Sequence, residues 1–106
     1  MKFGLKEEDI ERINSVFEKN TEVESVVIYG SRAIGNYRTG SDIDLALKGK
    51  ALSTDVVSKI IDEIEELNTP YIFDFLIFEN LRNTVLISHI NRVGKIFYTN
   101  KTLHTV

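Results

Sequence analysis

Apolar residues along this chain change period repeatedly, from helical to strand-like and back. In residues 6–19, Ile10, Ile13 and Phe17 fall at i, i+3 and i+7 with Val16 beside them, which predicts an amphipathic helix. Glu7, Glu8, Asp9 and Glu11 favour its N-terminal end through the helix dipole, and Asn20-Thr21 closes it. Residues 23–29 are a β-branched run that predicts a buried strand ending at Gly30. Residues 31–35 predict a short helix with Ser31 as N-cap, and residues 36–41 a loop bearing Gly, Asn and Ser. Residues 43–47 form the next strand, with Ile43, Leu45 and Leu47 opposite Asp42 and Asp44. A longer helix is predicted over residues 54–67, capped by Ser53 and striped by Val56, Val57, Ile60, Ile61, Ile64 and Leu67, until Asn68-Thr69-Pro70 stops it.

Residues 71–78 read as a strand that is apolar on both faces except for Asp74. Residues 81–92 predict a helix with Val85, Leu86, Ile90 and Val93 inward and Gly94 as C-cap. Residues 95–98 make a last strand, and residues 100–106 read as a loose tail. Strands alternating with helices predict a small α/β layer structure with helices packed on a sheet.

At 106 residues, the chain is expected to be one domain with a single core, spanning 1–106. A formal net charge of −3 argues against wrapping nucleic acid, which calls for a basic footprint. The chain has no cysteine, which excludes disulfides, thiol nucleophiles and Cys-based zinc sites. The N-terminal residues lack an apolar signal core and no run approaches membrane-spanning length, so the expected location is cytoplasmic.

The chemistry concentrates between Tyr29 and Leu45. Strand alternation points Asp42 and Asp44 the same way, and two such carboxylates ionise together only with a cation between them. Hard oxygen ligands suit Mg²⁺. Gly30-Ser31 ends an apolar strand where a helix begins, a junction whose free N–H groups attract phosphate. Asp74 in its apolar strand is expensive to bury unless paired; it is either a structural aspartate or a third member of the carboxylate group.

Gly30-Ser31, ten intervening residues and then Asp42-x-Asp44 resemble the signature of the nucleotidyltransferase superfamily with the DNA polymerase β-type palm. The fuller string Gly-Ser-Arg-Ala-x-Gly…Gly-Ser-Asp-Ile-Asp-Leu is similar to the minimal nucleotidyltransferases, the MNT family, many of which act as MntA-type antitoxins of HEPN-domain toxins. The resemblance covers residues 26–78 by motif. It implies an α+β palm with a small mixed sheet, ATP as substrate, and Asp42, Asp44 and Asp74 as catalytic carboxylates. It further implies two Mg²⁺ ions on those carboxylates, one holding the triphosphate and one activating the attacking hydroxyl.

By the same resemblance, Gly30 and Ser31 bind nucleotide. Arg32 either touches phosphate or ties the loop to an acidic residue. Many relatives carry a second basic residue where this chain has Ile34, and Arg38 is a substitute. Tyr37 either stacks on a base or covers the loop. His89 reads as a packed, hydrogen-bonded histidine, and Asp62, Glu63, Glu65 and Glu66 as a solvated helix face.

The resemblance therefore implies transfer of AMP from ATP to an acceptor hydroxyl, on a HEPN partner in a hetero-oligomer, with no membrane or nucleic-acid polymer involved. Two alternatives stay open. One is a binding-only antitoxin, with which the short chain agrees as it does with an enzyme whose partner completes the site; the other is a small-molecule transferase of the aminoglycoside-modifying type.

Overall fold

The computed structural model describes residues 1–101. Its elements run α1 (Glu7–Lys19), β1 (Ser25–Tyr29), α2 (Ser31–Ile34), β2 (Ile43–Lys48), α3 (Thr54–Glu65), β3 (Phe73–Ile77), a 3₁₀ turn (Phe78–Asn80), α4 (Thr84–Val93) and β4 (Lys95–Thr99). The four strands form one mixed sheet in the order β3-β2-β1-β4. β1 pairs antiparallel with β2 and β4, whereas β2 and β3 are parallel. A parallel pair needs a long crossover, and α3 supplies it. The fold is the expected α+β arrangement of helices on a small mixed sheet.

Side-chain alternation divides the core in two. Val26, Ile28, Ile43, Leu45 and Leu47 face α1 and α3, joining Ile13, Val16, Phe17, Ile60 and Ile64 in the main cluster. On the other face, Val27, Tyr29 and Ala46 meet Ile90 of α4, with Leu76, Phe78, Leu81 and Leu86 packed around them. Asp44 belongs to this second face by alternation with Ala46.

Several ends differ from the sequence pattern. α3 stops at Glu65 rather than residue 67, because Leu67 and Asn68 donate to Ile64 and Glu65 in tighter i→i+3 turns. Asn68 then takes a positive φ of 54°. The last helix starts at Thr84 rather than residue 81, since the Asn83 side chain accepts from the N–H groups of Val85 and Leu86 at 3.0 and 3.2 Å. Gly94 closes α4 in an extended conformation (φ −64°). Its missing Cβ would lie 2.3 Å from the Ile90 carbonyl oxygen and 2.5 Å from a Val27 methyl, so glycine serves close approach there. The tail expected over residues 100–106 lies, from residue 102 on, outside the described residues.

Candidate active site

Three sequence-distant segments meet at one end of the second sheet face. Asp44 is the register partner of Tyr29 on one side and of Asp74 on the other. Partners in a parallel pair project to the same face, so Asp74 stands beside Asp44 one strand away. Asp42 directly precedes β2, whose first residue donates its N–H to Ile72 C=O at 2.8 Å. Asp74 and Asp42 are exposed and Asp44 half-buried. The burial penalty reasoned for Asp74 therefore does not arise; its carboxylate faces solvent while Phe73 and Phe75 pack against the main core.

Electrostatics tie the three together. Burial, then the charges of Asp74 and Asp42, raise the Asp44 carboxyl above its ordinary value of 3.8, against a lowering pull from His89. Burial together with Asp44 and Asp74 holds the Tyr29 phenol up at about 12. The carboxylates are arranged as neighbours but not drawn in to a closed ligand set: among the described residues no three acidic or histidine side chains converge enough to hold a metal ion. The donor chemistry nevertheless suits a hard divalent cation, since all three side chains are carboxylates and their mutual repulsion is what such a cation relieves.

Gly30 adjoins this cluster directly. Its φ of 73° favours glycine, and a Cβ there would stand 2.5 Å from Asp44 Oδ2. The turn and the central carboxylate thus occupy adjoining space that no larger residue could share. The expected N-cap at Ser31 is corrected: Gly30 is the capping position and Ser31 opens the helix, with no side-chain cap. The reason is that Gly30's positive φ brings the chain into α2 one residue earlier. The Ser31 hydroxyl is left without a hydrogen bond among the described residues.

Arg32 is engaged with backbone carbonyls. Its side chain is buried, and the guanidinium donates to Ser41 C=O from Nε (3.1 Å) and Nη2 (2.8 Å) and to Phe3 C=O from Nη1 (2.8 Å). It lies 5.1 Å from the Tyr37 ring centroid and 6.0 Å from that of Tyr71. Arg32 is therefore a strut tying the loop before β2 to the N-terminal turn, through backbone carbonyls rather than an acidic residue. Tyr37 covers that strut. Ile34 is exposed, and Arg38 is anchored through its backbone N–H to Ser41 Oγ at 2.8 Å. Glu63, on the acidic face of α3, accepts from Asn20 (3.0 Å) and pairs with Lys19 (3.2 Å), far from the carboxylates in role.

Sequence spacing places neither Tyr29 nor His89 at this site. Tyr29 ends its strand directly before Gly30, and the β1–β2 register sets it beside Asp44. His89 packs its ring edge-on to Tyr29, with centroids 6.3 Å apart and planes at 83°, and makes no hydrogen bond among the described residues. Its signal in the sequence was faint: one titratable side chain next to the buried Ile90 on the helix that follows the Asp74 strand.

Among the described residues no helix is long and apolar enough to cross a membrane. The family model described as polymerase beta, nucleotidyltransferase matches residues 11–103. No curated protein matches the sequence. Among solved structures, one chain of a toxin–antitoxin complex with AMP-PNP superposes with a TM-score of 0.69 at 18% identity, over 88% of this chain and 75% of that one. A chain from a complex of tri-AMPylated Shewanella oneidensis HEPN toxin with MNT antitoxin gives 0.66 at 15% identity, over 94% and 77%. A chain of the MntA-HepT toxin–antitoxin gives 0.64 at 15% identity, over 92% and 75%. At these identities the likeness is one of fold.

Proposed function

Because the chain belongs to the polymerase β nucleotidyltransferase family, we propose that it transfers AMP from ATP to a hydroxyl on a HEPN-type protein partner and thereby acts as an antitoxin. The observation that carries this reading is the Asp44–Asp74 register on one sheet face, directly beside the Gly30-Ser31 turn. On this reading, Asp42, Asp44 and Asp74 would hold Mg²⁺. Bound there, the metal would lower the pKa of the acceptor hydroxyl and offset the charge on the phosphates.

The chain's own residues do the rest. Gly30 lets the backbone turn against Asp44, so that nucleotide phosphates delivered to the turn arrive next to the carboxylates. Ser31 offers its free hydroxyl and N–H to phosphate oxygen. Asp74, exposed on the edge strand, stands on the side from which an acceptor approaches, and it can take the acceptor's proton. Pyrophosphate leaves as the new phosphoester bond to the acceptor oxygen forms. Support for a protein acceptor comes from the resemblance in fold to chains of HEPN toxin complexes, one of them AMPylated.

Label transfer from α-³²P-ATP with Mg²⁺, in a lysate confirmed to contain a HEPN-domain protein, tests the reading by comparing wild type with Asp44→Asn. A labelled protein band present only with wild type is the expected result; no labelled protein would overturn protein modification. A second reading, antitoxin action by binding alone, draws on the carboxylates' failure to converge into a closed set. Protection of cells by an Asp44→Asn protein would favour it.

A further inference from the structure

We propose that His89 of α4 is a phosphate-binding residue, donating from its imidazole to the terminal phosphates of the nucleotide. The inference rests on the nucleotidyltransferase reading above and extends it to an element outside the strand-and-turn motif.

The placement comes from the sheet order. Asp44 lies on the central strand β2, with Asp74 on the outer side at β3 and Tyr29 on the inner side at β1. His89 meets the Tyr29 ring, so His89 and Asp74 flank Asp44 from opposite sides. Tyr29 leads directly into Gly30-Ser31, so His89 packs on the residue that opens the turn. α4 is held there by Ile90, only 2% exposed, so the neighbouring imidazole stands on a fixed backbone.

Chemistry favours the same assignment. A nucleoside triphosphate brings several negative charges to a surface already carrying Asp42, Asp44 and Asp74. Arg32, the cation nearest in sequence to the turn, is committed to the carbonyls of Ser41 and Phe3. The imidazole of His89 is half-buried and makes no hydrogen bond among the described residues. A charge-assisted imidazole–phosphate hydrogen bond would give the imidazole nitrogens an acceptor.

Calorimetric binding of AMP-PNP and of AMP in the presence of Mg²⁺, to wild type, His89→Ala and His89→Gln, tests this. The expected result is that His89→Ala weakens AMP-PNP about tenfold and leaves AMP within about twofold, while His89→Gln, which keeps a donor, recovers part of the loss. Unchanged AMP-PNP affinity, or equal losses for both nucleotides, would overturn the assignment; the second pattern means that His89 only supports the packing of Tyr29. His89→Gln carries the comparison if the alanine variant does not fold. Wild type binding neither nucleotide would instead bring down the underlying nucleotidyltransferase reading, and this inference with it.

Discussion

Replacing Asp44 by asparagine should make the cation-free protein more stable at neutral pH while abolishing transfer. The side chain keeps its shape and loses its charge. Asp44 makes no hydrogen bond among the described residues that the amide would break, and its carboxyl is raised above 3.8 by burial, Asp74 and Asp42. A carboxyl raised in the folded state favours folding fully below its unfolded pKa, and that contribution is lost as pH rises through the folded value. The wild type therefore carries a penalty at pH 7 that Asp44→Asn removes, and the two proteins should converge in stability below about pH 4. Adjacent strands lie about 5 Å apart, so one unit repulsion amounts to roughly 1–2 kcal/mol at effective dielectrics of about 80 to 40. Asp44 is half-exposed, and solvent screening brings the estimate to about 1 kcal/mol. For a domain of this size that is about 4 °C in Tm. Thermal unfolding in EDTA across about pH 3–8 measures it, and a repeat with millimolar Mg²⁺ should stabilise wild type more than the variant. A less stable Asp44→Asn at pH 7, or a difference that does not change with pH, would refute the reasoning.

Gly30→Ala places a Cβ 2.5 Å from Asp44 Oδ2 at a φ of 73°; urea unfolding should show a loss of about 2 kcal/mol or more, and label transfer should fall with it. Arg32→Ala leaves the Ser41 and Phe3 carbonyls without their donors; a destabilisation of about 2–4 kcal/mol is expected in the same assay. Arg32→Lys should restore little of it, since an ammonium cannot reproduce the planar fork. Where the Arg32 variants stay folded, their AMP-PNP affinity should remain within about twofold of wild type by calorimetry, which a direct phosphate contact would contradict.

Local pattern was enough for most of the architecture. The i, i+3, i+7 run of Ile10, Ile13 and Phe17 and the stripe from Val56 to Ile64 have no other way to bury their apolar faces than as helices on a sheet, and Ile43, Leu45 and Leu47 alternate against Asp42 and Asp44 as strand geometry demands. Helix ends were less legible. Asn83 caps α4 through its side chain, and nothing in the apolar spacing of residues 81–92 distinguished that position from the interior of a longer helix. Asp74 illustrates a different limit. Its apolar neighbours suggested burial, but Phe73 and Phe75 alternate inward while Asp74 projects from the edge strand into solvent.

Residue types and short spacings carry the carboxylate pair, the glycine turn and the family, because these depend on neighbours within a strand or a turn. Tertiary structure alone decides which distant groups share the site. The parallel pairing of β2 and β3 through the α3 crossover sets Asp74 opposite Asp44. The packing of α4 on the second sheet face brings His89 to Tyr29. The N-terminal turn, folding back to offer the Phe3 carbonyl, engages the Arg32 guanidinium as a strut. Each of these outcomes depends on contacts between segments tens of residues apart, which no local spacing encodes.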